Sequence, residues 1–386
     1  MMPSANDISA LDIPAFMESV FGNNLHKKRQ LSLGLAALGL LTSQSLFLHE
    51  MGAGLALARG KDKKHTTKQI DRLLSNEGIS IWELSALWVP YVIGVQKDLL
   101  VSLDWSSFAD DTQTMLCLNA VSAKGCSLPL VWKTVKTSQL KYNRARYEDQ
   151  LLSRLKEVLP VEVKITLVAD RGFADQKFFN FLENELCFNY IVRVKSNTFI
   201  TDTKGKSQKA CEWIDKEGKA YSLRNATMTR AEYPIKQAVF IHDKGMKAGW
   251  CLVSNIEEMT SREVITCYSK RWKIEPYFRD LKDKRFGYGL QETHLGAERR
   301  DRLLLIVALC YSLLTLLGGV GEELGFDRKL KVNTVKTRTH SLFTQGQFYY
   351  DFFQNFTPEE QCKLLTHLGE LLEKQHFWLH FFTAVK

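Results

Sequence analysis

The sequence predicts an α/β protein whose central layer is interrupted by a β-rich insertion and flanked by helical regions at both ends. Three observations carry this. Apolar strand-like runs alternate with helix-period segments between residues 96 and 195. Turn-rich, short alternating segments fill 196–258, and helical spacing dominates 1–95 and everything from 259 onward. With 386 residues, 45% hydrophobic and 25% charged, the chain has room for two or three domains and a sizeable core. That composition excludes a disordered, fibrous or low-complexity protein.

In chain order, Val20–Glu50 has mixed helical spacing behind a basic knot, His26–Arg29. A basic turn, Arg59–His65, leads to Thr66 and Thr67, which are good N-cap types, and then to a helix over Lys68–Asn76. From Arg59 to Arg72 six basic residues face two acidic ones. A helix–basic turn–helix of this kind suits DNA backbone contact through Lys61, Lys63 and Lys64, although a solvated helical face reads the same way. Asp98–Trp105, Thr112–Val121 and Ser127–Lys133 read as buried strands, with Asp110 and Asp111 as turn residues. Arg144–Leu159 reads as a helix, Val161–Ala169 as a strand, Asp175–Leu186 as a helix and Tyr190–Val194 as a strand. Short strands at Ala238–Ile241 and Trp250–Val253 mark the insertion. Helices follow at Arg262–Lys284, Arg299–Leu317 and Pro358–Lys374.

The 52 Lys and Arg against 43 Asp and Glu give a formal charge of +9. This points to a polyanionic partner or simply to a basic surface. The eight cysteines form no CxxC and no zinc spacing, which reads as reduced thiols. The first residues carry no basic start before an apolar run. Leu31–Leu41 and Leu303–Leu317 fall short of the ~20 residues a bilayer span needs. The expectation is a cytoplasmic, nucleoid-associated protein without a membrane partner. No P-loop, GxSxG or HExxH occurs, so no nucleotide cofactor is expected.

Asp104 closes the apolar run LVSLDW, and Asp170 closes TLVAD. Carboxylates at strand ends sit where sheets bind ligands. The third element is Tyr268–Lys282. At ~100° per residue Tyr268, Arg271, Glu275 and Lys282 share an arc of roughly 60° beside the apolar stripe Ile274, Phe278, Leu281. An ordinary helix ion pair would explain Arg271 and Glu275 alone, since they stand four residues apart. With the two strand-end aspartates, three carboxylates and two phosphate-binding cations point to two-metal phosphodiester chemistry.

The spacing Y-x2-R-x3-E-x6-K is similar to the YREK signature of the DDE transposases of bacterial insertion sequences (insertion sequence family four). KRWKIEPYFRDLK, FGYGLQETHLG, IDRLLSN at 70–76, LDW at 103–105 and VADRGF at 168–173 resemble that family too. The resemblance implies an RNase H-like catalytic core in two parts, 96–195 and 259–325, around the β-rich insertion 196–258. It also implies an N-terminal helical DNA-binding region, 1–95, and a C-terminal helical region, 326–386, used in dimerisation. Asp104, Asp170 and Glu275 would be catalytic and bind Mg²⁺, with Mn²⁺ as substitute. Tyr268, Arg271 and Lys282 would contact DNA phosphates. Cut-and-paste transposition through a hairpin needs a flipped base, and Trp250 is placed to stack on it or to pack in the core. Arg171 beside Asp170 is a further candidate for phosphate contact. Pro276 directly after Glu275 predicts a kink or a helix start, with Arg279 as substitute cation should Lys282 leave the arc. The rival readings are a two-metal endonuclease without strand transfer and a catalytically inactive DNA-binding regulator.

Overall fold

A computed structural model of the chain describes residues 13–108, 112–121, 127–215, 217–282 and 288–374. Asp110 and Asp111 lie outside these. Before the sheet, the described residues form α1 (Ile13–Phe21), α2 (Lys27–Ser43), α3 (Leu48–Arg59), α4 (Lys63–Leu74) and α5 (Ile81–Ile93). The continuous spacing of Val20–Glu50 is broken by local chemistry. The His26 side chain caps α2, and Gln44 ends it in the left-handed region at φ 52°. The cap of α4 is Asp62, not Thr66 or Thr67. The Asp62 carboxylate accepts from the backbone N–H of Lys64 and His65. Thr66 lies one turn inside and donates to the Gly52 carbonyl at 2.7 Å, tying α4 to α3.

The central region begins with β1 (Asp98–Ser107), β2 (Gln113–Val121) and β3 (Ser127–Lys136). It continues through α6 (Arg144–Val158), β4 (Lys164–Ala169), α7 (Gln176–Asn180) and β5 (Asn189–Arg193). The insertion supplies β6 (Phe199–Thr201), β7 (Ser207–Lys209), β8 (Tyr221–Met228), β9 (Tyr233–Ile241) and β10 (Trp250–Ser254). All ten strands form one sheet in the order β3-β2-β1-β4-β5-β10-β9-β8-β6-β7. The first three are antiparallel, and β1, β4 and β5 run parallel through the α6 and α7 crossovers. This mixed α/β architecture around a large sheet is consistent with an RNase H-like core. The insertion extends that sheet, because β10 pairs antiparallel with β5.

The chain then turns helical: α8 (Ser261–Ser269), a 3₁₀ turn at Lys270–Lys273, α9 (Ile274–Lys282), α10 (Ala297–Glu323), α11 (Leu342–Asp351) and α12 (Pro358–Lys374). The predicted single helix over 262–284 is therefore two. Pro276 has no N–H to give the Trp272 carbonyl four residues back, so the turn before it tightens and Pro276 falls in the first turn of α9. α10 is the one helix among the described residues apolar and long enough to span a bilayer unaided, and its most apolar stretch is wholly buried within the protein.

α10 and α11 approach at two glycines. A Cβ at Gly318 would collide with the Leu342 carbonyl, and one at Gly346 with the Leu314 carbonyl. Beside them Tyr311 stacks on Phe343 at 4.5 Å. Gly346→Ala must push the helices apart. It should cost about 1–3 kcal/mol and lower the melting temperature by several degrees in calorimetry. A variant melting with the parent would mean the helices are not packed this closely.

Candidate active site

β1 and β4 are parallel neighbours with Leu103 in register with Ala169, so Asp104 and Asp170 lie side by side, Asp170 just past the end of β4 and Asp104 within β1, which stays paired with β2 as far as Ser107. Alternation along each strand puts Asp104 on the face of Leu100, and Asp170 on the face of Val168. Leu100 and Val168 pack in one cluster with Val264, Cys267 and Tyr268, the inner side of α8. Both aspartates therefore face the segment that carries Tyr268 and Arg271.

Arg271 is buried to 7% exposure, and its Nη1 lies 3.6 Å from Asp104 Oδ2. The guanidinium lies near the rings of Tyr268 and Trp272, 5.8 and 5.6 Å from their centroids. Burial raises the Asp104 carboxyl above its ordinary range. Arg271 and the Trp105 N–H pull it down, while the charges of Asp170 and Glu275 push it further up. Burial and like-charge repulsion outweigh the cation. Asp170 and Glu275 thus both lie within electrostatic reach of Asp104. Asp170 Oδ1 is buried without a hydrogen-bond partner, whereas Glu275, in the first turn of α9, is exposed. Among the described residues no three His, Cys, Asp or Glu side chains are drawn together closely enough to cage an ion. The donor set still suits a hard divalent cation: oxygen ligands only, mutually repelling, one of them unpartnered.

Lys282 remains at the site despite Pro276. Its ammonium donates to Ser106 Oγ and, at 2.6 Å, to the Ser107 carbonyl at the end of β1. Burial lowers its pKa to about 8, with Asp104 opposing the shift and Arg300 adding to it. Arg279, the alternative cation, is exposed and lies 3.5 Å from Asp280. Trp250, on β10, meets Tyr268 edge-on at 5.0 Å and 75°. Burial raises the Tyr268 hydroxyl to about 12. Arg171 is exposed and lines a cavity of about 470 Å³ together with Arg193, His242, Gly249 and Cys251. Lys61, Lys63 and Lys64 are exposed around the N-terminus of α4, where the helix dipole adds to their field. Among the described residues their ammonium groups have no ion-pair partner.

Two groups escaped the sequence reading. Arg193 lies within electrostatic reach of the Tyr268 hydroxyl and helps hold it down. Trp105, next to Asp104, donates from Nε1 to Glu148 Oε1 at 2.6 Å, and Arg144 Nε reaches the same oxygen at 3.1 Å. The word LDW marked Trp105, but nothing in its spacing pointed to a partner 43 residues away on α6.

Residues 130–313 match the family model described as the transposase DDE domain. The matched span runs from β3 into α10, so it includes Asp170 and Glu275 and begins after Asp104. It supports a transposase with a DDE catalytic domain, a class that acts on DNA and generally uses divalent metal. No curated protein matches the chain.

The Lys282 shift has a checkable sign. Its folded pKa, about 8, lies below the unfolded value near 10.5, so between these values the unfolded state holds more protons and stability from this group rises with pH. Lys282→Met should lose that rise. The stability difference between parent and variant should move in the parent's favour from pH 8 to 10.5. A difference flat across that range would place the ammonium in water.

Proposed function

We propose that the protein is a cut-and-paste DNA transposase of the YREK type. It binds the inverted repeats at transposon ends as a homodimer, cleaves the strands, passes through a hairpin and joins the 3′ ends to target DNA. It works in the cytoplasm, on nucleoid DNA. The observation that carries this reading is the meeting of Asp104 and Asp170, on neighbouring parallel strands, with the segment Tyr268–Lys282, in a chain of which residues 130–313 match the transposase DDE domain.

Asp104, Asp170 and Glu275 would hold divalent metal, Mg²⁺ with Mn²⁺ as substitute. When bound, the metal supplies activation of the attacking oxygen and neutralisation of charge on the leaving oxygen. The protein's own cations do the positioning. Arg271, now against Asp104, offers a bidentate fork to a phosphate, while Lys282 offers a point charge fixed to the end of β1. Arg171 extends the phosphate contacts, whereas Tyr268, expected from the sequence to join them, is buried at 1% exposure and packs beneath Arg271 instead. Trp250 presents an aromatic face from the insertion for an extruded base, a contact worth ~1–3 kcal/mol. Lys61, Lys63 and Lys64 grip the backbone of the end sequence.

Because Glu275 is exposed, Glu275→Ala should fold like the parent. It should lower strand cleavage of an end-bearing duplex by on the order of a thousandfold, with end affinity within about twofold. Undiminished cleavage would remove Glu275 from the site. For Trp250→Ala, hairpin formation should fall roughly five- to a hundredfold more than first-strand nicking, the size of one lost base stack at ~1–3 kcal/mol. Equal losses in both steps would assign Trp250 to packing alone. A pre-cut end incubated with plasmid separates a transposase, which joins them, from an endonuclease, which does not.

A further inference from the structure

Between Lys133 and Tyr147 the chain carries five cations, Lys133, Lys136, Lys141, Arg144 and Arg146, and no carboxylate. The segment is the connection from β3 to α6, and residues 141–146 are all exposed. Among the described residues Lys136, Lys141 and Arg146 have no ion-pair partner, and no carboxylate stands between Lys133 and Tyr147 to supply one. Tyr142 is 93% exposed and has the Lys141 ammonium 5.3 Å from its ring centre. An aromatic ring held in water among uncompensated cations stabilises nothing in the isolated fold.

The sheet register fixes where this strip lies. Asp104 pairs with Cys117, and Cys117 with Trp132, so Lys133 begins one residue beyond the position level with Asp104, two strands or ~10 Å away. β3 ends at the same sheet edge from which β1 and β4 deliver the aspartates. The far end of the strip comes back to that edge. The Arg144 guanidinium lies 5.4 Å from the Trp105 ring and 5.7 Å from the Phe173 ring, the residues flanking Asp104 and following Asp170. Glu148 fixes it there through Nε, leaving the outer nitrogens, on a side chain half exposed, facing away from that bond.

We propose that the β3–α6 connection is a DNA-backbone track, with Lys136, Lys141 and Arg146 on successive phosphates and Arg144 as its contact nearest the carboxylates. Its partner is duplex DNA beside the scissile phosphate, recognised by charge and without base readout. This rests on the transposase reading for its substrate class. Its test requires neither cleavage nor end recognition.

Full-length protein is titrated with a labelled duplex of arbitrary sequence, without divalent metal, across 50–200 mM salt. Lys136→Gln/Lys141→Gln/Arg146→Gln should make the slope of log K against log salt shallower by roughly two to three, and Arg144→Gln alone by about one. The control is Lys204→Gln/Lys206→Gln/Lys209→Gln, the same charge change on the β6–β7 hairpin at the opposite end of the sheet. It should change the slope by less than one. An unaltered slope in the first variant, with its melting temperature intact, overturns the proposal, as does an equal change in the control. If the slope changes as expected and no condition yields cleavage, the track stands and the transposase reading falls.

Discussion

The structure buries Asp104 within the field of two further carboxylates, Asp170 and Glu275. Asp104 shows the balance. Arg271 sits 3.6 Å away and is itself buried, an attraction that would by itself keep the carboxylate ionised at low pH. Yet the carboxyl is pushed up, because burial and the neighbouring charges of Asp170 and Glu275 together exceed what one guanidinium returns. A folded pKa above the unfolded one favours the fold while the proton is on, and that contribution is lost as pH rises through the shifted value. At neutral pH the acidic cluster is therefore a local cost. Under the proposed function a divalent cation would relieve it, and the buried Asp170 Oδ1, without a hydrogen-bond partner, would be one of its ligands.

The rest of the scaffold serves that placement. Parallel pairing of β1 with β4 sets the two aspartates abreast, and antiparallel pairing of β10 with β5 carries the same sheet into the insertion. α8 lies across this junction, with Val264, Cys267 and Tyr268 against Leu100, Val168, Ile191, Val239 and Leu252. The insertion is thus coupled to the acidic edge by shared apolar packing, and Trp250 meets Tyr268 because both belong to that seam. On the other side of β1, Trp105 ties the strand end to α6 through Glu148. Asp104 is anchored from both faces of the sheet.

Much of this was legible in the sequence because burial writes a strong pattern. An apolar run closing on a carboxylate, as in LVSLDW and TLVAD, marked both strands, and the structure sets the two aspartates side by side, although β1 continues past Asp104 to Ser107. The insertion was visible from its turns, although not its continuity with the main sheet, since strand pairing leaves no local trace. Helix boundaries failed where short-range competition decided them. Asp62 outcompeted Thr66 and Thr67 as a cap because it precedes the first turn, and the Thr66 hydroxyl found a carbonyl on α3 instead. Val161 looked like the start of a strand and is fully exposed, β4 beginning at Lys164. The β3–α6 cations went unremarked because a charge run is usually a solvated face; only the register shows which edge they follow.

The most instructive departure is the arc of Tyr268, Arg271, Glu275 and Lys282. A continuous α-helix would turn ~100° per residue, but Lys270–Lys273 is a 3₁₀ turn at ~120°. Four such residues add about 80° of rotation between Tyr268 and everything after it. The four side chains therefore do not point one way. Tyr268 and Arg271 are driven inward, at 1% and 7% exposure, while Glu275 is turned to solvent. Lys282, two turns further on, comes round to the end of β1. The Pro276 ring that tightens the preceding turn is thus what separates a buried pair, Tyr268 and Arg271, which braces Asp104, from an outer pair, Glu275 and Lys282. Glu275 approaches the aspartates from the solvent side, and Lys282 is held at the strand end. An unbroken helix would bury Glu275 against Arg271 as an ordinary ion pair. The proline keeps that carboxylate free.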